Sequence, residues 1–248
     1  MEIRENIIKR KLSAGEIATV VSGFNSPDII DFLGQFGFDG VWIEAEHGPI
    51  DFSDIPNLTR ASDLWGMSSI VRVRENNYSL IYRTLDLGAQ GIVVPHVDTA
   101  KDARDLVRAT KFSPIGARGM FSGRQSWGVE NYLENANSQV LSVALIEDIV
   151  AINNLDEILS VDDIDVFFVA PSDLAQSMGH FGNNNHEEVR ATIANAIAKI
   201  NDRGRCAGAL VADSNLEEYI DWGARLIMVS WNSWLSEGAK KFVERIPK

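Results

Sequence analysis

The chain has 248 residues, 45% of them hydrophobic, enough for one large α/β barrel or two smaller domains. Its formal net charge of -12 opposes phosphate backbones and anionic bilayers, so neither nucleic acid nor membrane is an expected partner. A single cysteine, Cys206, excludes an internal disulfide and suits a reducing compartment; it opens an apolar run and reads as a small core hydrophobe rather than a nucleophile.

Met1 to Lys11 is charged, and no uninterrupted apolar stretch approaches the roughly 20 residues that cross a bilayer, so a cytoplasmic protein is expected. Eight strand-like runs follow: Ile17 to Gly23, Gly40 to Glu46, Ser68 to Arg74, Gly91 to Val97, Val140 to Glu147, Asp165 to Pro171, Arg205 to Ala212 and Arg225 to Asn232. Segments with helical spacing fill the intervals. Ser26-Pro27 reads as an N-cap with proline at the first helical position, and Thr99 with Asp102 and Ser214 with Glu217 have capping-box spacing. Strict alternation predicts one (β/α)8 TIM barrel over residues 1–248 rather than a doubly wound sheet. Two insertions, Ser113 to Gln139 and His180 to Asn185, break the rhythm and are expected as loops on the working face.

Several runs end in charge. Phe38-Asp39-Gly40-Val41-Trp42-Ile43 passes into Glu44-Ala45-Glu46-His47, and the runs ending at Arg72 and Arg74, His96, Glu147 and Asp173 do the same. In a barrel these ends, with Asp213 and Asn232, share the rim where catalytic groups sit. Glu147 and Asp173 end consecutive strands, and two carboxylates meeting there either raise a pKa or share a cation. Without a Cys/His cluster of zinc spacing, the cation would be hard, Mg²⁺ or Mn²⁺; helix capping is the other reading of Asp173. His47 is a general base or a buried structural histidine. Asp86, in the apolar setting of Leu85 and Leu87, needs a partner, for which a histidine would serve. His96 reads more simply as core or interface packing. None of the eight lysines falls in a predicted strand or at its end, so Schiff-base chemistry has no candidate. The glycine spacings match neither a P-loop nor a dinucleotide fingerprint.

The chain from about Ser22 to Gly238 resembles the HpcH/HpaI aldolase family, the metal-dependent class II pyruvate aldolases that include 4-hydroxy-2-oxoheptanedioate and 2-keto-3-deoxy sugar acid aldolases. The resemblance rests on Gly37-Phe38-Asp39 leading to Glu46-His47, Val71-Arg72 with Asn76, Leu85-Asp86-Leu87-Gly88-Ala89-Gln90 and Val94-Pro95-His96-Val97. It continues through Pro114-Ile115-Gly116-Ala117-Arg118-Gly119, Ile146-Glu147 with Asn154-Leu155, and Pro171-Ser172-Asp173-Leu174. It implies a barrel of the phosphoenolpyruvate/pyruvate type, assembled as a homo-hexamer with C-terminal helices exchanged between subunits. By likeness, Glu147 and Asp173 hold Mg²⁺, Mn²⁺ or Co²⁺, Arg72 binds the 2-oxo acid oxygens, and His47 paired with Asp86 is the base. Amides near Ala170 to Asp173 take the substrate carboxylate, and Glu46, Ala170, Ser172 and Trp231 complete the substrate-binding set. Trp231, read as the end of strand eight, either walls the aldehyde pocket or, with Trp234, packs a subunit interface. Relatives often carry Asp at Glu44, glycine at Ala170, glutamine at Leu145 and Gly-Ser-Asp at Ser230-Trp231-Asn232.

The expected reaction is retro-aldol cleavage, or its reverse, between a 4-hydroxy-2-oxo acid and pyruvate plus an aldehyde. The rivals are a carbon-carbon lyase or synthase acting on an acyl-CoA or second keto acid, for which no basic groove is evident, and a catalytically silent barrel.

Overall fold

A computed structural model describes residues 1–23 and 26–247. In chain order the elements are α1 (Ile7–Ser13), β1 (Ala18–Ser22), α2 (Pro27–Gly34), β2 (Gly40–Glu44), α3 (Ile55–Leu64), β3 (Ser68–Arg72) and α4 (Tyr78–Asp86). Next come β4 (Gly91–Val94), α5 (Ala100–Thr110), α6 (Tyr132–Gln139), β5 (Leu141–Ile146), α7 (Ile149–Asn153), α8 (Leu155–Leu159) and β6 (Val166–Val169). The chain continues through α9 (Pro171–Ser177), α10 (Glu187–Asp202), β7 (Ala207–Val211), α11 (Leu216–Asp221), β8 (Ala224–Ser230) and α12 (Trp231–Val243). Each strand pairs in parallel with the next and β8 closes on β1, giving the expected (β/α)8 barrel.

Side chains alternate across each strand, so every second residue enters the barrel. Val20, Trp42, Ile70, Val143, Phe168 and Leu226 belong to the interior cluster, where the Trp42 and Phe168 ring centroids lie 5.1 Å apart. Their neighbours Val21, Val41, Ile43, Val71 and Phe167 face the helices. Helix α1 packs Ile8 and Leu12 into the interior cluster and so plugs the N-terminal mouth. Asn6 fastens it, donating to the Gln90 and Gln139 carbonyls at 3.0 Å each. The opposite rim, at the strand C-termini, is left for polar groups.

Helix starts follow local chemistry. Thr99 and Asp102 form the predicted capping box, and Ser26 accepts from the Ile29 amide ahead of Pro27. The pairing of Ser214 with Glu217 is not made: Asn215 occupies the α11 cap position and accepts from the Ala212 amide instead. The segment Ser113 to Gln139 also departs from expectation. It follows α5 and precedes β5, so it lies at the plugged end, where Gln139 accepts from the Asn6 amide and Gly128 from the terminal amine. His180 to Asn185, between α9 and α10, does belong to the working rim. Among the described residues no helix is long and apolar enough to cross a membrane.

The described lysines stand outside the strands, as expected, and Lys248 lies outside the described residues. Lys111 is nonetheless 2% exposed, donating to the carbonyls of Asn137 and Val140 at the plugged end. Burial lowers its pKa to about 8. Cys206 packs against the interior cluster, and burial pushes its thiol up to about 11, as befits a core hydrophobe. The folded Lys111 pKa lies below the unfolded value of about 10.4, so the unfolded chain binds more protons between these pH values. Stability should therefore rise from pH 8 to pH 10, relative to Lys111→Met, by up to about 3 kcal/mol. Urea midpoints across that range test this, and parallel curves for the two proteins would contradict it.

Candidate active site

The strand ends at the open rim continue the inward parity of the core. Glu44, Arg72 and Glu147 stand two residues after the interior Trp42, Ile70 and Leu145. Glu44 and Arg72 are register partners across β2 and β3, which places the acid beside the base. The Arg72 Nε donates to Glu44 Oε2 at 2.7 Å, while its Nη1 lies 2.9 Å from Glu46 Oε2. Glu44 does more than pair with Arg72. Its Oε1 accepts from the amides of Glu46 and His47 at 2.9 and 3.0 Å, and its Oε2 accepts from the Trp42 indole at 3.3 Å. The tight turn brings Gly48 so close that a Cβ there would lie 2.5 Å from the Glu44 carbonyl oxygen. Burial raises the Glu46 pKa, opposed by the charges of Arg72 and His47. The His47 ring is open to solvent, with Nε2 3.7 Å from Glu46 Oε2.

Glu147 follows β5 and is 1% exposed. Its Oε1 accepts from the His96 amide at 2.9 Å, and its Oε2 is buried with no hydrogen-bond partner among the described residues. His96 presents that amide from the left-handed region, at φ 51°, a conformation that costs a non-glycine residue energy and so marks a constrained position. Its Nδ1 lies 3.6 Å from Glu147 Oε1 and its Nε2 4.0 Å from Glu46 Oε1, joining the two acidic groups. Burial raises the Glu147 pKa most; His96 and Arg72 lower it, and the charge of Asp173 raises it. Asp173 sits in the first turn of α9, which starts at Pro171 after Ala170, with no side chain capping the helix. Ser172 in the same turn accepts from the Asn184 amide nitrogen at 2.9 Å.

The sequence profile of the HpcH/HpaI aldolase/citrate lyase family matches residues 20–235. The chain belongs to this family. It is 36% identical to a 2-keto-3-deoxy-L-rhamnonate aldolase of Klebsiella pneumoniae, covering 93% of this chain and 88% of the relative. It is also 36% identical to a hydroxypyruvate/pyruvate aldolase of Roseovarius nubinhibens, covering 90% of each. The crystal structure of an HpcH/HpaI aldolase/citrate lyase family protein from Burkholderia cenocepacia superposes with a TM-score of 0.91 at 30% identity, over 96% of this chain and 98% of that one.

In this member of the HpcH/HpaI family, the charges of Arg72, His47 and His96 act on Glu46, and those of His96, Arg72 and Asp173 act on Glu147. Two expectations need correction. The pair of His47 with Asp86 is not formed within the chain. Asp86 ends α4, whose C-terminus points to the plugged face, and its carboxylate accepts from Arg118 at 2.7 Å. Trp231 does not end β8: it opens α12, with Ser230 at the cap position, and its indole lies against Gly23 in an outer groove with α2. Sequence reasoning missed the work of Glu44 and His96. The first was signalled by two strands ending in opposite charges at matched register; a left-handed histidine has no signal in a lone sequence. Glu44→Ala should leave the 46–47 amides without an acceptor and Arg72 with one carboxylate, destabilising the protein by about 1–3 kcal/mol. A urea unfolding midpoint equal to wild type would contradict this role.

Proposed function

We propose that the protein is a cytoplasmic, divalent-metal-dependent aldolase that interconverts a 4-hydroxy-2-oxo acid with pyruvate and an aldehyde. The observation that carries this reading is the bare, buried Oε2 of Glu147 beside the charge of Asp173. A sealed carboxylate oxygen without a donor costs free energy unless a cation or proton joins it. Glu147 and Asp173 would hold a hard ion of the Mg²⁺, Mn²⁺ or Co²⁺ type. When bound, such an ion supplies Lewis acidity toward the 2-oxo acid. The names of the relatives, aldolases for sugar-acid and pyruvate-type substrates, support the same class.

The chain's own groups supply the rest. Arg72, held by Glu44 and Glu46, offsets negative charge on the 2-oxo oxygen as the C3–C4 bond breaks. His47, at the open edge of the rim, takes the proton of the 4-hydroxyl directly or through water. An Asp86 that orients His47 would have to come from a second copy of the chain. The Ala170 amide is spent on the Ile146 carbonyl and Pro171 has none, so the amides of Ser172 and Asp173 seat the substrate carboxylate, and Glu46 lines the pocket while holding Arg72.

The assembly belongs to this reading. Helix α12 buries none of its residues, and with α2 it borders an apolar groove of about 510 Å³ lined by Ile29, Phe32, Phe36, Phe38, Trp231 and Trp234. Such a face supports a homo-oligomer, a hexamer by family likeness, in which α12 seats on a neighbouring subunit. On this view Trp231 serves the interface. Trp231→Ser should lower the native mass and leave the kcat/KM ratios among aldehydes unchanged; altered ratios at intact mass would return Trp231 to the pocket.

EDTA should abolish pyruvate-forming cleavage and Mg²⁺ or Mn²⁺ restore it, while borohydride with pyruvate traps nothing. Borohydride inactivation in the presence of pyruvate would overturn the assignment. His47→Ala should lower kcat by roughly 10² to 10⁴ fold with little effect on pyruvate affinity, since a base acts in the transition state. Lost pyruvate affinity at normal turnover would reassign His47 to binding.

A further inference from the structure

The loop between α9 and α10 brings a second set of ligating side chains together. Gly179, at φ 85°, follows the C-cap of α9, and the His180 amide returns to the Ala175 carbonyl at 2.8 Å. Two further turns, from the Asn183 amide to the His180 carbonyl at 2.9 Å and from the His186 amide to the Asn183 carbonyl at 3.1 Å, fold the loop back. The result is a stacked pair of imidazoles, His180 and His186, with centroids 3.6 Å apart and planes inclined by 18°. Glu188 joins them, with Oε2 2.9 Å from His180 Nε2. One ligating atom from each of the three lies within 4.8 Å of the others.

We propose that His180, His186 and Glu188 form a second cation site, selective for a borderline ion of the Zn²⁺ type and separate from the Glu147–Asp173 pair. Two imidazoles with one carboxylate are a donor set for such ions, which take nitrogen at about 2.0–2.1 Å and tetrahedral geometry. The paired carboxylates of the barrel mouth favour harder ions. Tetrahedral ligation draws the three atoms, which lie within 4.8 Å, to about 3.3–3.4 Å from one another and turns the stacked rings so that both nitrogens face the ion, while the exposed Glu188 leaves the fourth position to water. His186 also caps α10, its Nδ1 accepting from the Glu188 amide at 3.3 Å. An imidazole that ligates through one nitrogen carries its proton on the other, so an ion replaces this long cap bond. Asn184, between the histidines, donates to Ser172 on α9. An ion on the loop therefore braces the helix that carries Asp173.

The test is a titration of the metal-stripped full-length protein with Zn²⁺, followed by calorimetry, and with Co²⁺, followed by its visible spectrum. Wild type should bind one Zn²⁺ per chain that Glu147→Gln retains, and Co²⁺ there should give the intense bands of a tetrahedral nitrogen site. His180→Asn with His186→Asn, where asparagine preserves the α10 cap, should weaken that Zn²⁺ at least tenfold and remove the bands. Glu188→Gln alone should weaken it less. Equal Zn²⁺ affinity in wild type and the double variant, meaning adventitious surface binding only, would overturn the proposal. So would loss of the Zn²⁺ site in Glu147→Gln, since the ion would then belong to the barrel mouth.

Discussion

Glu147 sets the terms for the rest of the rim. Its carboxylate is sealed at the mouth of the barrel, one oxygen satisfied by the His96 amide and the other without a hydrogen-bond partner among the described residues. A charge in that position is tolerated only if its surroundings compensate it. The compensation is visible: His96 adopts a left-handed backbone to deliver its amide, and Arg72 lends positive charge from the end of β3. The remaining oxygen, near the further negative charge of Asp173, is where the proposed cation would bind.

Arg72 illustrates the same economy of position. A guanidinium pointing into a narrow barrel mouth has many conformations, and the proposed chemistry needs one. Glu44 and Glu46 remove the choice, while the amides that Glu44 accepts hold the turn bearing His47. Register carries the arrangement: because Glu44 and Arg72 are paired Cα partners, moving either strand by one residue would turn its polar end away from the other. The N-terminal plug by Ile8 and Leu12 closes the other end, so the interior remains a packed core that supports the rim.

The strands were legible in the sequence because each buried run is short, β-branched and bounded by turn residues, and all eight fall where periodicity puts them. Their ends were less so. Trp231 extends an apolar run, yet β8 stops at Ser230 and the indole begins α12, since apolar periodicity cannot distinguish a strand's last residue from an exposed helix's first. Asp86 and Ser113 to Gln139 were assigned by chemistry without regard to which end of the barrel each loop occupies. Strand direction decides that: whatever lies between a helix and the strand after it returns to the plugged face. Parity and strand order both lead Glu147 to the rim, and strand order alone leads Asp173 there, whereas the supporting contacts of Glu44 and His96 depend on backbone geometry.

On the proposed reading, Glu147 and Asp173 together receive one hard divalent ion against which the 2-oxo acid is held. Anomalous diffraction from crystals soaked with Mn²⁺ and oxalate, a mimic of the pyruvate enolate, measures this directly. The predicted result is a single strong peak at the barrel mouth, at bonding distance, about 2.0–2.2 Å, from Glu147 Oε2 and from an Asp173 oxygen, with oxalate facing Arg72. A mouth without manganese while oxalate sits beside Arg72, or manganese bound without either carboxylate, would contradict it.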